Sequence, residues 1–396
     1  MKILIANLGS TSVKYRLFDF SSGDGELLVR GGIERVDDHA VAIEQVQCEL
    51  KEGGWIASEA DLTAVGFKTI MAEGITGCLE LTEEVVESME MCNYIAPAHN
   101  PPYIRGIRLF AEKMPEIPLV GLFETAFYQW VPESSSRYAV PKSWHDAGVR
   151  RWGFHGASHK FIAERSAELL GREDVASRAR NLYIDDAGSQ VDGSTLRVVS
   201  CHLGGSSSVT GILNGAAIGN SMGLSPQSGL PHNNRVGDLD SMAVLHMMRR
   251  DGLSIDEVEQ ALCSESGLKG LSGGRNDIRD IQSAADRGDA NSRLALEVFV
   301  NSVRHWIGAY FAQLNGLDAL VFTAGIGENR AAIRAEVCAN LDQLGIQLDP
   351  SKNNSTKAEE AVISSEDSTV KVLVIPTNEE LVVAREVKRF LDNKQN

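Results

Sequence analysis

The chain has 396 residues, too many for one ordinary hydrophobic core, so two domains of roughly 150 to 200 residues are expected. It is 43% hydrophobic and 23% charged, with 37 glycines and only 11 prolines, the proportions of a folded globular protein rather than a disordered one. A formal net charge of −16 excludes a surface built for nucleic acid or an anionic membrane, so any anionic ligand must be held by locally placed cations.

The six cysteines (Cys48, Cys78, Cys92, Cys201, Cys263, Cys338) include no CxxC pair and no histidine spacing suited to zinc. They read as buried free thiols of a reducing compartment. The N-terminus lacks the charged region and cleavage site of a secretory signal, and no apolar run approaches the ~20 residues that span a bilayer. A cytoplasmic protein with no membrane partner is expected.

Strand-like runs alternate with helical patterns along the chain, which indicates an α/β fold. The first element is "ILIANLGSTSVKYRLFDF" (3–20), two apolar runs around a knot of small and hydroxylated residues. Residues 14–18 alternate polar and apolar, so a strand follows the knot, which rules out a dinucleotide-type glycine loop opening a helix; the spacing GxxxxGK[ST] is also absent. A tight hairpin remains, whose backbone N–H groups, together with Ser10, Ser12 and Lys14, are placed to face a phosphate; an ordinary glycine turn is the alternative.

"PESSSR" (132–137) and "DDAGSQVDGST" (185–195) read as loops, the second as a hairpin or insertion tip. "VVSCHLGGSSSVTGILNG" (198–215) then repeats the opening pattern about half a chain later, as two similar domains would. Ser254 and Glu257 have capping-box spacing at a helix start, with Gly267 as a stop. Residues 292–314 are apolar on more than one face and predict a buried helix, which ends at Asn315-Gly316 before a buried strand at 319–322. "FTAGIGENRAAIRAEV" (322–337) runs from that strand through Gly325 and Gly327 into a helix, whose N-terminal amides favour a nucleotide or other anion. In "PTNEEL" (376–381), Thr377 and Glu380 stand at the N-cap and N3 spacing of the last helix, so Glu380 reads as a capping-box partner and Glu379 as a spare first-turn acid.

Taken in order, "NLGSTSVKY", "APAHNPP", "FETAF", "GFHGASHK", "HLGGSSS", "SMGLSPQSGLPHNNRVGDLD", "SGLKGLSG", "FTAGIGEN" and "PTNEEL" give the chain an end-to-end resemblance to the acetate and propionate kinase family, within the sugar-kinase, Hsp70 and actin superfold. The resemblance implies two duplicated ribonuclease-H-like α/β domains around a central cleft: residues 1–125 with 377–396, and a nucleotide-binding domain at 126–376. It implies ATP-dependent, Mg²⁺ (or Mn²⁺)-dependent phosphorylation of a short-chain carboxylate to an acyl phosphate, and the reverse, by direct in-line transfer in a homodimer to which helix 292–314 contributes. A carboxylate nucleophile is already ionised at neutral pH, so such an enzyme needs alignment and charge neutralisation rather than a general base.

By the same resemblance, His155 and Arg235 act on the transferring phosphoryl and the carboxylate, and Asn7 and Glu379 associate with the metal. His202, Gly204, Gly205, Asp277, Ile278, Arg279, Gly325, Gly327, Glu328 and Asn329 fall among the nucleotide and phosphate positions, and Ile70, Ala98, His99, Phe154 and Pro226 around the acyl group. For His155 a packed core histidine is the alternative; for His99 it is a structural role among prolines.

Several positions depart from the family pattern, Met71 in place of a histidine among them. The arginine of "GHRVVHGG" is Lys68, which keeps a charge but loses the bidentate fork. The aspartate of "FDTAF" is Glu124, and the asparagine of "HLGNG" is Gly205. The family commonly has leucine at Ala98, so space for two or three more carbons is expected, each worth about 0.8 kcal/mol when buried. The open alternatives are a nucleotide-binding regulator without activity and a kinase for another carboxylic acid or a sugar, for which Glu124 is the one base available.

Overall fold

The computed structural model describes residues 1–9, 12–36, 38–97, 99–184 and 193–395. The opening apolar runs pair as expected. β1 (Lys2–Leu8) and β2 (Ser12–Asp19) form an antiparallel hairpin that sets Asn7 opposite Lys14, and β3 (Glu26–Glu34) extends the meander. β4 (Leu62–Thr69) lies parallel to β1, β6 (Leu119–Phe123) parallel to β4, and β5 (Cys78–Glu80) antiparallel to β6, giving the order β3-β2-β1-β4-β6-β5.

The echo seen at 198–215 builds a second sheet with the same wiring, strand for strand. β7 (Arg197–Leu203), β8 (Ser207–Leu213) and β9 (Ala216–Asn220) form the meander, followed by β10 (Ala319–Thr323), β11 (Ala361–Val362) and β12 (Lys371–Val374) in the order β11-β12-β10-β7-β8-β9. The chain is therefore two similar α/β domains. One unit comprises Met1–Gln129, Gly156–Phe161 and Asn378–Asn396, the other Trp130–His155 and Ile162–Thr377.

Period-two alternation distributes the first sheet between two helical layers. Leu4, Ala6 and Leu8 join a core with Ile43 and Val46 of the helix His39–Glu52 and Ile107 and Phe110 of the helix Asn100–Lys113. Ile5, between them, faces the C-terminal helix Glu379–Gln395 beside Gly66. Gly66 is what lets that helix approach: a Cβ there would lie 2.6 Å from Ile5 Cδ1 and 3.0 Å from Val387 Cγ2. In the second unit the 25-residue helix Ala290–Leu314 buries Phe299, Val303, Ile307 and Tyr310, starts on the Asp289 cap and stops at Asn315 in the left-handed region (φ 56°).

Some expectations need correction. "PESSSR" is no loop: Pro132 starts a single helical turn, Glu133–Ser136, its carbonyl accepting from the N–H groups of Ser135 and Ser136. The last helix begins at Glu379, not at Asn378, so the Thr377–Glu380 capping box does not form. Asn378 Oδ1 accepts from Leu381 N–H (3.4 Å) and from Arg16 Nη1 (2.9 Å), and Glu380 turns to Arg16 Nη2 at 3.3 Å. A full positive charge from β2 outcompetes a backbone N–H for that carboxylate. The cysteines are all unpaired, but only Cys92, Cys201 and Cys338 are buried, and Cys48 is exposed. Of the expected hairpin or insertion tip at 185–195, residues 185–192 lie outside the described ones. Among the described residues no helix is long and apolar enough to cross a membrane.

Gly66→Val forces branched carbon into the Ile5–Val387 contact, an overpacking that should cost about 2 kcal/mol. Urea denaturation checks this; an unchanged midpoint would contradict the close approach.

Candidate active site

In the second unit, backbone turns assemble a pocket of about 450 Å³, within the usual size of a small-molecule site. Of the residues expected to hold a nucleotide, Gly204, Gly205, Asp277, Ile278, Arg279, Gly325 and Asn329 line it. Asn233, Arg330 and Lys357 also line it, and sequence reasoning had passed over them. Asp277 caps the helix Ile278–Asp286, accepting from Arg279 N–H at 2.8 Å. The Arg279 guanidinium grips the same carboxylate and, with that N–H, pulls its pKa down to about 2. Ala324, at φ 64°, turns the chain out of β10 into the short helix Ala324–Asn329. A non-glycine residue held in that region is strained, as turns at ligand sites often are.

Gly327 and Glu328 do not line this pocket. They anchor it from behind, through an arginine that the sequence did not single out. Arg334 is fully buried and donates from Nη1 to the carbonyls of Gly327 (2.8 Å) and Glu328 (3.0 Å), from Nε to Asn353 Oδ1 (2.8 Å), and from Nη2 to the carbonyls of Asn353 (2.8 Å) and Thr356 (3.0 Å). Its whole donor fork is used to join the helix at 324–329 to the segment that precedes Lys357.

His155 and His202 also come together in this unit, next to the pocket rather than in its lining. The rings stack with centroids 4.0 Å apart, and His155 Nδ1 lies 2.7 Å from Ser208 Oγ. Register explains the arrangement, since His202 on β7 pairs with Ser208 on β8. His155 itself is left-handed (φ 59°) at the start of the helix Gly156–Leu169, a second strained non-glycine residue.

Arg235 is 6% exposed, and its Nη1 donates to the Pro226 carbonyl at 2.8 Å. Among the described residues no carboxylate pairs with it. Burial pushes its pKa down to about 10, so at neutral pH it remains a buried cation that no carboxylate among the described residues balances. Of the expected acyl-pocket residues, Pro226 thus borders Arg235 and buried Phe154 precedes His155. In the first unit Ile70 is buried just after β4, and His99 precedes the helix Asn100–Lys113. Ala98, like Ser10, lies outside the described residues.

The first unit brings Lys68, Glu124 and Glu379 together. Lys68, on β4, places its ammonium 3.2 Å from Glu124 Oε1 and in direct contact with Glu379 Oε2. Burial alone would lower the Lys68 pKa, but the Glu379 and Glu124 carboxylates outweigh it, so the net shift is well upward. Glu124, 3% exposed, has its pKa raised by burial despite Lys68, and its Oε2 makes no hydrogen bond among the described residues. Asn7 Oδ1 accepts from Tyr103 O–H at 2.6 Å, and burial pushes the Tyr103 pKa up to about 12, which keeps it a donor. At the hairpin, Gly9 N–H donates to the Ser12 carbonyl (2.8 Å), while Lys14 is exposed beside Glu34 at 3.4 Å.

The residues expected at a metal do not fit a resident metal as arranged. Asn7 Oδ1 is committed to Tyr103, and both carboxylates face an ammonium that takes the place of a cation between them. Among the described residues no group of three or more His, Cys, Asp or Glu side chains is arranged to hold a metal ion.

Two outcomes are expected. Arg334→Met strands its carbonyl acceptors in a dry interior and should cost about 3 kcal/mol or more in urea denaturation; a loss below about 1 kcal/mol would mean that water replaces the fork. Without nucleotide, Lys68→Met should bind Mn²⁺ at least ~10-fold more tightly than the wild type by electron paramagnetic resonance, because it uncovers two carboxylates. Equal affinities would show that Lys68 does not guard the pair.

The model of the acetokinase family matches residues 30–385. The acetate kinase of Carboxydothermus hydrogenoformans is 38% identical, with 100% of each chain covered, and that of Clostridium botulinum is 39% identical over 98% of this chain and 99% of the relative. Among solved structures, Porphyromonas gingivalis acetate kinase superimposes with a TM-score of 0.83 at 32% identity, covering 98% of this chain and 99% of that one. A Francisella tularensis propionate kinase gives 0.83 at 31% identity, covering 97% and 98%. The two matching sheets and these end-to-end similarities agree, and the chain belongs to the acetokinase family.

Proposed function

We propose that this protein transfers the γ-phosphoryl group of ATP to a short-chain carboxylate, in line and without a covalent enzyme intermediate, and catalyses the reverse reaction with ADP. The single observation that carries this reading is Arg235, a buried guanidinium with no carboxylate partner among the described residues. Such a group favours an anion with two oxygens in its plane. Membership of the family makes the chain a phosphotransferase with a carboxyl group as acceptor, and the pocket at Gly204, Gly325 and Asp277 suits the nucleotide.

In this reading Arg235 takes the carboxylate or the phosphoryl in flight. His155, oriented by Ser208 and stacked on His202, donates to a phosphoryl oxygen as charge develops on it. No base is required, because the attacking carboxylate is already ionised. In the first unit Asn7, its oxygen held by Tyr103, keeps its N–H₂ group for a ligand oxygen. Lys68 balances Glu124 and Glu379, so Mg²⁺ or Mn²⁺ is assigned to the nucleotide phosphates rather than to a preformed protein cage. Bound there, the ion would neutralise phosphate charge.

Propionate or a longer acid is assigned at least equal standing with acetate, on the small side chain at position 98. A second copy of the chain is the proposed partner. The helix Ser241–Asp251 has no buried residue, yet Met242 is 56% and Leu245 42% exposed, and an acetokinase homodimer would cover them. The unpaired cysteines and the use of ATP suit a cytoplasmic setting.

Trapping acyl phosphate with hydroxylamine across two-, three- and four-carbon acids tests the reading: product is expected with propionate at a kcat/KM no lower than with acetate. Arg235→Lys, which keeps charge but not the fork, should lower kcat/KM at least ~100-fold. ATP binding with no acyl phosphate from any acid would sink the proposal.

A further inference from the structure

Gly205 leaves the turn after β7 without the asparagine that the family resemblance places there. The structure shows what fills the space. A Cβ built on Gly205 would lie 3.1 Å from Asn233 Nδ2 and 3.6 Å from Asn233 Cγ, so the Asn233 amide already stands where a side chain at 205 would go. The φ of Gly205 is not in the left-handed region, so backbone conformation does not demand glycine there. The demand comes from Asn233.

The backbone of Asn233 is fixed on both sides. Its N–H donates to the Gly205 carbonyl at 3.0 Å, and its carbonyl accepts from Lys269 N–H at 2.8 Å. Its side-chain amide makes no hydrogen bond among the described residues, and the residue lines the same pocket as Gly204, Asp277 and Gly325. A fixed backbone carrying an uncommitted primary amide into a pocket is a donor waiting for a ligand oxygen.

We propose that Asn233 is a ligand-binding residue of this pocket, donating from Nδ2 to a phosphate oxygen of a nucleoside polyphosphate and so supplying from another loop the amide that Gly205 lacks. The inference rests on the nucleotide reading of the pocket and deepens it. It also ties two functions together. His232, the preceding residue, donates its backbone N–H to the Arg235 carbonyl at 3.0 Å, so the segment that would touch phosphate is the one that positions the buried guanidinium.

An exchange of the two residues tests this, with ADP and ATP affinity read by calorimetry on the full chain. Asn233→Gly and Gly205→Asn should each weaken binding ~10-fold, the first by loss of the donor and the second by collision with it. The double variant, which moves the amide back to the turn, should recover affinity to within ~3-fold of the wild type. Wild-type affinity in Asn233→Gly, or a double variant no better than the worse single one, would overturn the proposal.

Should Gly205→Asn not fold, Asn233→Asp gives an isosteric check: a negative charge facing phosphate should cost at least as much as Asn233→Gly, and undiminished affinity would overturn the proposal. A wild-type protein that binds neither nucleotide would overturn the nucleotide reading itself, whereas wild-type binding that ignores position 233 overturns this inference alone.

Discussion

Lys68 holds two carboxylates on one ammonium, while Arg235 lies buried with no carboxylate beside it among the described residues. These two departures from simple charge pairing distinguish the two units. A buried charge without a partner costs several kcal/mol unless another ion arrives, so the fold keeps Arg235 at the expense of stability, and the proposed return is affinity toward an anion. The reverse logic governs Glu124 and Glu379, whose mutual repulsion in a dry setting is relieved by a cation that the chain provides itself.

The duplicated sheet is what brings such groups to defined positions. In both units the central strands are nearly buried from end to end, and the loops leaving their carboxyl ends carry the polar residues. Lys68 stands at the carboxyl end of β4 and Glu124 follows β6; in the second unit Gly204 follows β7 and Gly325 follows β10. Ligand sites in open α/β sheets lie at this edge, because there the ladder ends and side chains and turn amides are left to face a ligand.

Much of this was legible because its cause was local. A Gly/Ser knot between apolar strands signalled each hairpin, the second copy signalled duplication, and the three-residue spacing of Ser254 and Glu257 marked a helix start. What stayed hidden depended on partners remote in sequence. Tyr103 reads as an aromatic of an amphipathic helix until its hydroxyl meets Asn7 across 96 residues of chain. Glu380 fits a capping box by spacing, yet Arg16, 364 positions earlier, claims it. Arg334 looks like any charged residue of a helix, and only its burial reveals five acceptors around one fork. Asn233 is one of two adjacent asparagines, and nothing in their spacing shows which of them faces Gly205.

The central claim is that a carboxylate oxygen attacks the γ-phosphorus of ATP. Phosphorus NMR of a reaction containing ¹⁸O-labelled propionate addresses it directly, because the attacking oxygen stays bonded to phosphorus. The account predicts ADP together with an acyl phosphate resonance displaced by one ¹⁸O. Label appearing in AMP, or the γ-phosphoryl appearing only as unlabelled inorganic phosphate, would contradict it.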